Sequence, residues 1–154
     1  MIEINITKQT LELKNDSTKL IRFSISSAKN GVGQFKDSLC TPLGKHIIRT
    51  KIGSEVPCYG IFRQRRWSGE IWDMNEFSKE DLILSRILWL SGKEVGMNRL
   101  GNVDTMQRYI YIHGTHDENN IGTPVSHGCI RMLNKDIIKL FNFVNLGESV
   151  LIHE

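Results

Sequence analysis

Apolar and polar residues alternate along much of the first half of the chain, as they do in strands with one buried face. The alternation is clearest at Ile2, Ile4 and Ile6, and glycines separate the later apolar segments from one another. These patterns predict strands over residues 2–6, 11–13 and 20–25, with a turn at 15–17, and further strands around 47–48, 61–62, 109–112 and 149–152.

Two segments instead show apolar residues at the three- and four-residue spacing typical of amphipathic helices. The first covers about residues 79–91 and begins at Ser78 and Asp81, a pair similar to a capping box. The second covers about residues 135–145 and ends before Gly147, a residue type that favours helix termination. The chain is therefore predicted to be one mainly β domain over residues 1–154, with two or so α-helices.

Composition and charge narrow the possible partners. The 154 residues are 40% hydrophobic and 24% charged, which is typical of a globular domain with its own core. The formal net charge is only +3 and no dense basic stripe accompanies it, so nucleic acid is not an expected partner. Arg63, Arg65 and Arg66 form a tight basic cluster, for which a substrate carboxylate is the better partner.

No part of the sequence approaches the about 20 consecutive apolar residues that cross a bilayer. The first residues lack the basic start and the unbroken apolar run of a secretion signal. A cytoplasmic location and no membrane partner are therefore expected, with a periplasmic location as the alternative if a signal peptide has been removed. The odd number of cysteines, Cys40, Cys58 and Cys129, also suits a reducing compartment.

Cys129 is the best candidate for a reactive group. It follows Ser126, His127 and Gly128, and this polar, glycine-containing stretch is typical of a loop rather than of a core. A glycine next to a nucleophile allows a backbone N–H group to approach a substrate oxygen closely. The sequence therefore indicates a cysteine nucleophile, against the alternative of a buried structural thiol.

A thiol nucleophile needs a base, and an imidazole is the usual one. His113 follows a predicted strand and precedes Gly114, a position from which its side chain can enter a cleft. His127 and His116 compete for the same role. No carboxylate is well placed to orient the imidazole, and the Gly114 carbonyl could do so instead.

Two further possibilities concern a metal and Arg131. Histidine and cysteine side chains at 113, 116, 127 and 129 could bind zinc, but their spacing matches no usual zinc signature. We therefore expect no metal and no cofactor. Arg131 could hold a substrate carboxylate or stabilise the loop from inside, and its residue type suits both roles.

Two motifs in this chain together resemble the signature of the L,D-transpeptidase catalytic domain, also called the YkuD domain. They are His113-Gly114-Thr115 and the segment 126–132, which reads Ser-His-Gly-Cys-Ile-Arg-Met. Residues 41–44 resemble the upstream Thr-Pro-x-Gly element of the family, and the likeness covers nearly the whole chain.

The resemblance implies a β-sandwich-like fold and a role for each motif residue. Cys129 would be the nucleophile, His113 the base and the Gly114 carbonyl the orienting group. Backbone groups of residues 127–129 would form the oxyanion site, with Ser126 and Arg131 beside the substrate.

The resemblance also implies a reaction on peptidoglycan stem peptides or muropeptides. The thiolate would attack the bond between the diamino acid and D-alanine and form a thioester, which water or an amine then opens. An L,D-carboxypeptidase of cell-wall recycling is the favoured interpretation, and an L,D-transpeptidase that forms crosslinks is the alternative. A non-catalytic module that binds stem peptides is the second alternative, and the oligomeric state remains open.

Overall fold

The computed structural model describes residues 1–15, 20–76 and 78–154, which build a mainly β domain. The turn predicted at 15–17 lies mostly outside these ranges. The described strands are β1 (Ile2–Asn5), β2 (Thr10–Lys14), β3 (Leu20–Ser26), β4 (Gly44–Ile52), β5 (Gly60–Arg63), β6 (Arg66–Ile71), β7 (Ile83–Gly92), β8 (Tyr111–Gly114), β9 (Ile130–Met132) and β10 (Ser149–His153). The α-helix within these ranges is α1 (Asn134–Phe143), and 3-10 turns occupy Gly101–Val103 and Glu118–Asn120.

The strands form one closed sheet with a hairpin attached. Their order is β4-β10-β1-β2-β3-β9-β8-β7-β5-β6, and β4 also pairs with β7. This extra pairing closes the sheet into a barrel, because both edges of β7 are then occupied over residues 87–89, by β4 and by β8. The β5–β6 hairpin extends from the other end of β7, at Ile83 and Leu84.

The barrel interior is the main hydrophobic core. It is filled by the alternate residues that the sequence pattern assigns to one face of each strand, such as Ile2, Ile4 and Leu11, all fully buried. Helix α1 adds Ile137 and Leu140 to the same cluster. The predicted strands in the first half, the closing strand and the second helix are thus confirmed, with the helix at Asn134–Phe143. No described helix has the length and apolar character needed to cross a membrane.

The helix predicted over about residues 79–91 is wrong, since this segment forms strand β7. It is buried on both faces: Leu88 and Leu90 belong to the main core, and Ile87 belongs to a second apolar cluster with Phe62 and Tyr111. A strand covered on both faces loses the two-residue alternation and reads as a nearly continuous apolar run. A register shift between Leu84 and Ile87, with Ser85 at a φ of 69°, further disturbs the period and produces the helix-like spacing.

Burial of His46 makes the stability of this fold depend on pH. Its Nδ1 lies 3.0 Å from the Gly44 carbonyl oxygen and its Nε2 lies 2.9 Å from Thr105 Oγ1, at the start of β4. Burial lowers the pKa of His46 from 6.5 to about 4, a shift that the Gly44 carbonyl only partly opposes. Between these pH values the unfolded chain binds a proton at this residue and the folded chain does not.

The free energy of unfolding should therefore decrease as pH falls from 6.5 to 4, by up to about 3 kcal/mol from this residue. Urea denaturation at several pH values checks this expectation. The variant His46→Gln should flatten the dependence of the free energy of unfolding on pH. The prediction would be contradicted if the free energy of unfolding changed equally with pH in the wild type and in His46→Gln.

Candidate active site

Two adjacent parallel strands, β8 and β9, carry the candidate catalytic residues. Their register pairs Ile112 with Ile130 and His113 with Arg131. Since side chains alternate along a strand, Ile112 and Ile130 point into the barrel core, and His113 and Arg131 point to the opposite face. Cys129 precedes Ile130 by one position and therefore lies on the same outer face. The alternation thus brings the predicted nucleophile and the predicted base together.

The Cys129 thiol is half-buried and is held by backbone groups. The N–H group of Tyr111 donates to Sγ at 3.3 Å, and Sγ lies 3.4 Å from the Tyr109 carbonyl oxygen, to which it donates. Tyr109 has a φ of 55°, in the left-handed region that non-glycine residues rarely adopt. No hydrogen bond joins the thiol to His113 in the described part of the chain.

The imidazole of His113 is fixed in one tautomer. Its Nδ1 lies 2.6 Å from the Gly114 carbonyl oxygen, and because a carbonyl only accepts, Nδ1 carries the proton. This leaves the Nε2 lone pair as the base. The side chain is only 1% exposed, so few other orientations are open to it.

Gly114 supports this arrangement because no larger residue fits at its position. A Cβ there would lie 2.4 Å from Asn134 Oδ1 and 2.7 Å from the Leu84 carbonyl oxygen. Asn134 is itself fixed, since its Nδ2 donates to the Thr115 carbonyl and its Oδ1 accepts from the Ser85 hydroxyl, both at 2.7 Å. A buried polar chain thus connects the irregular turn of β7 to the residues beside His113.

Burial disfavours the charged forms of both the thiol and the imidazole. Burial raises the pKa of the Cys129 thiol to about 12, although the Tyr111 N–H group opposes this. Burial also lowers the pKa of His113, against the opposing effects of the Asp81 carboxylate and the Gly114 carbonyl. Both shifts have the same cause, reduced contact with water, which disfavours the charged forms.

The loop before β9 is shaped by Ser126 and Gly128. The Ser126 hydroxyl donates to the Cys129 carbonyl at 2.6 Å and accepts from the Gly128 N–H group at 3.2 Å. Gly128 has a φ of +129°, and a Cβ there would lie 3.3 Å from the Cys40 carbonyl oxygen. Its own carbonyl accepts from Thr41 Oγ1 at 3.0 Å, so the upstream Thr-Pro element is in contact with the cysteine loop.

Arg131 is buried and paired with carboxylates of the protein. It is 5% exposed, its Nη2 lies 2.8 Å from Asp81 Oδ1, and its Nη1 lies 3.9 Å from Asp117 Oδ2. The largely exposed side chain of His127 places its Nδ1 3.4 Å from the other oxygen of Asp81. Burial alone would raise the pKa of Asp81, but the nearby His113 and Arg131 outweigh this effect and lower it.

Sequence reasoning missed the two acidic partners of Arg131 and the backbone contacts of the Cys129 thiol. Asp81 was assigned to the start of a helix, and that wrong assignment concealed its place beside Arg131. Its position just before an apolar segment was the available signal. The backbone contacts from Tyr109 and Tyr111 to the thiol depend on the register of β8 and β9, for which the sequence carries no local signal.

His116 is the third candidate for the base and one of the possible zinc ligands. His116 packs edge-on against the Trp72 ring, with 5.9 Å between ring centroids. Among the residues that the structure describes, no three His, Cys, Asp or Glu side chains are grouped so that they could hold a metal ion.

Comparison with known proteins assigns this fold and this pair of motifs to one family. The family model described as the L,D-transpeptidase catalytic domain, YkuD, matches residues 1–152. The chain therefore belongs to the L,D-transpeptidase catalytic domain family, and the resemblance of its two motifs to that family is confirmed.

Individual relatives match over shorter segments. A Bacillus subtilis (strain 168) protein named as an L,D-transpeptidase, YqjB, is 40% identical over 63 residues, which are 41% of this chain and 34% of YqjB. YbiS of Escherichia coli K12, also named as an L,D-transpeptidase, is 49% identical over 43 residues, 28% of this chain and 14% of YbiS. The matching segments thus span about a third or less of these relatives.

Solved structures agree on the fold over the full length of the chain. An L,D-transpeptidase from Mycobacterium smegmatis has a TM-score of 0.57 and 13% identity, covering 99% of this chain and 58% of that one. An Enterococcus faecium L,D-transpeptidase has a TM-score of 0.60 and 17% identity, covering 99% and 48%. This likeness confirms the β-sandwich-like or barrel-like architecture.

The pairing of Arg131 with Asp81 should contribute to stability. The variant Asp81→Asn removes the carboxylate 2.8 Å from Arg131 and leaves this buried cation with Asp117 at 3.9 Å. We expect the free energy of unfolding, measured by urea denaturation, to decrease by about 1–3 kcal/mol. Glu80→Gln is the matched control, because Glu80 is exposed and its pairing with Arg63 should contribute about 0.5 kcal/mol or less. Equal losses in the two variants would contradict this expectation.

Proposed function

We propose that this chain is a cysteine acyl-transfer enzyme acting on peptidoglycan tetrapeptide stems. It would cleave the L,D bond between the diamino acid and D-alanine through a thioester on Cys129. The observation that carries the proposal is the placement of Cys129 and His113 on one face of two adjacent strands, in a chain of the L,D-transpeptidase family. The reaction and the substrate class come from the family.

The first half of the reaction uses the tautomer held by Gly114. The thiol sulfur attacks the carbonyl carbon of the diamino acid while its proton passes to Nε2 of His113. Because burial disfavours a separate thiolate and imidazolium, this transfer is proposed to accompany the attack. Substrate binding must also bring the thiol and Nε2 into contact, as is common when catalytic hydrogen bonds tighten in the complex.

The negative oxygen of the tetrahedral intermediate needs hydrogen-bond donors. Backbone N–H groups of residues 127–129 are the proposed donors. The Gly128 N–H group is the weakest of them, since Ser126 Oγ already accepts it at 3.2 Å. Collapse of the intermediate breaks the bond to the D-alanine nitrogen, which takes the proton from Nε2 and leaves.

The second half of the reaction opens the thioester. Water gives up a proton to Nε2 and attacks the thioester carbon, which releases the shortened peptide and returns the proton to Sγ. The half-exposed thiol and the exposed His127 side chain at the rim support access of water. We therefore propose L,D-carboxypeptidase activity in the cytoplasm, where soluble muropeptides from wall recycling would be the substrates.

Crosslinking is the second candidate function. An amine of a second stem would replace water, and the names of the relatives, YqjB and YbiS, favour this activity. A non-catalytic binding module is less favoured, because such a module has no need for a histidine in a fixed tautomer beside a thiol.

Arg131 is proposed as a support for the site. Its guanidinium is buried and already faces Asp81 and Asp117, which favours stabilisation of the loop over binding of a substrate carboxylate. Ser126 is proposed to act in the same way, since its hydroxyl closes the turn that presents Cys129.

Replacement of the nucleophile tests the proposal directly. Cys129→Ala should reduce D-alanine release from tetrapeptide by at least about 1,000-fold, because the covalent route is removed. Cys58→Ala is the control and should retain activity, since Cys58 is an exposed thiol. Near-normal release by Cys129→Ala, measured by mass spectrometry of the products, would overturn the assignment.

The acyl acceptor is tested by the product mixture. Incubation with tetrapeptide and an excess of an amine acceptor should yield mainly the shortened peptide, because water reaches the thioester. Liquid chromatography with mass spectrometry separates this product from crosslinked dimers. Predominance of dimers would replace the carboxypeptidase proposal with the transpeptidase alternative.

A further inference from the structure

Arg65 is in the turn of the β5–β6 hairpin, and its guanidinium contacts aromatic side chains from outside the hairpin. The centre of its guanidinium is 5.1 Å from the ring centroid of Trp89 and 4.8 Å from that of Tyr109. Its Nη1 donates to the Tyr111 hydroxyl at 3.2 Å. These contacts hold a long, flexible cation in one place, since arginine stacks well on aromatic faces.

Two tyrosines connect this position to the nucleophile. The two tyrosines that contact Arg65 with their side chains are the two that contact the Cys129 thiol with their backbone. Trp89 belongs to the same group, with its ring edge-on to Tyr111 at 5.6 Å and its partly buried side chain in the cluster that includes Cys129. The guanidinium is therefore connected to the thiol through Tyr109 and Tyr111, on the side of the hairpin.

Arg65 differs from Arg63 and Arg131 in having no partner of opposite charge within the described ranges. Within the described ranges, no carboxylate lies within salt-bridge distance of it, whereas Arg131 faces Asp81 and Arg63 faces Glu70 and Glu80. A guanidinium has five N–H donors, and the described contacts of Arg65 use one of them. The other N–H groups are available for a bidentate carboxylate.

We propose that Arg65 binds a carboxylate of the stem peptide next to the bond that is cleaved. This inference rests on the proposed function, which supplies the peptide. Two carboxylates of the peptide are candidates: the terminal one of D-alanine, directly on the leaving side of that bond, and the second carboxyl group at the end of the diamino acid side chain, where that residue has one. Arg65 thus acts as a substrate-positioning residue, and Arg131 does not compete for the carboxylate because its own charge is already neutralised.

A first experiment tests the anion site without any substrate. In a Cys40→Ser/Cys58→Ser background, Cys129 is alkylated by iodoacetate, which is an anion, and by neutral iodoacetamide at the same pH. Arg65→Gln should lower the ratio of the two rates by about 3- to 10-fold, because a positive charge beside the thiol is lost. Arg63→Gln, in the same hairpin, should leave the ratio unchanged.

Thermal unfolding of each variant separates this effect from loss of the fold. A ratio that is equal in Arg65→Gln and Arg63→Gln, with both variants folded, would overturn the inference.

A second experiment identifies the carboxylate. D-alanine or D-alanine amide release is measured for the tetrapeptide, for its C-terminal amide and for the form amidated on the diamino acid side chain. In the wild type, the KM for one of the two amidated peptides should be about 10- to 100-fold higher than the KM for the free acid. Arg65→Gln should raise KM for the free acid by a similar factor, with little change in kcat, and should no longer distinguish that amide from the acid.

The outcomes separate this inference from the function on which it rests. If the wild type releases D-alanine and Arg65→Gln has the same KM, the inference is wrong and the proposed function stands. If the wild type releases none but the alkylation ratio still falls in Arg65→Gln, the proposed function is wrong and Arg65 remains an anion-binding residue beside Cys129.

Discussion

The in-register parallel pairing of β8 and β9 is the constraint on which the site depends. It fixes which residues of the two strands face the barrel core and which face outward. A shift of one residue would turn His113 into the core and bring Ile112 to the site. Because Ile112, Ile130 and Met132 are fully buried in the core, that shift would expose a large apolar surface. The hydrophobic core therefore enforces the catalytic geometry.

Further polar contacts fix the residues around His113. The disturbed register of β7 places the fully buried Ser85 hydroxyl against Asn134, and Asn134 holds the Thr115 carbonyl. Gly114 fits between them only because it lacks a side chain. Buried polar groups of this kind are costly when unpaired, so a satisfied network strongly favours one arrangement. The result is an imidazole with a defined tautomer and little freedom to move.

The charges around the site have different roles. Burial raises the pKa of the thiol and lowers that of the imidazole, which disfavours a thiolate–imidazolium pair. Arg131 is buried and compensated by Asp81, which suits a structural role. Arg65 is uncompensated and supported by aromatic rings, which suits contact with a ligand. One site thus contains a cation that the protein neutralises and a cation that it leaves available.

The sequence by itself determined the strands with one buried face, the helix at Asn134–Phe143 and the two motifs at His113 and Cys129. These features are local: a two-residue or four-residue period, a glycine next to a reactive residue, and a short signature shared by a family. Tertiary structure decided the rest. Strand β7 has no local signal that separates it from a helix, because its two faces pack into two apolar clusters built from segments distant in the sequence. The partners of Arg131 and the contacts of Arg65 likewise depend on strand pairing and hairpin placement, which bring together residues that no sequence period relates.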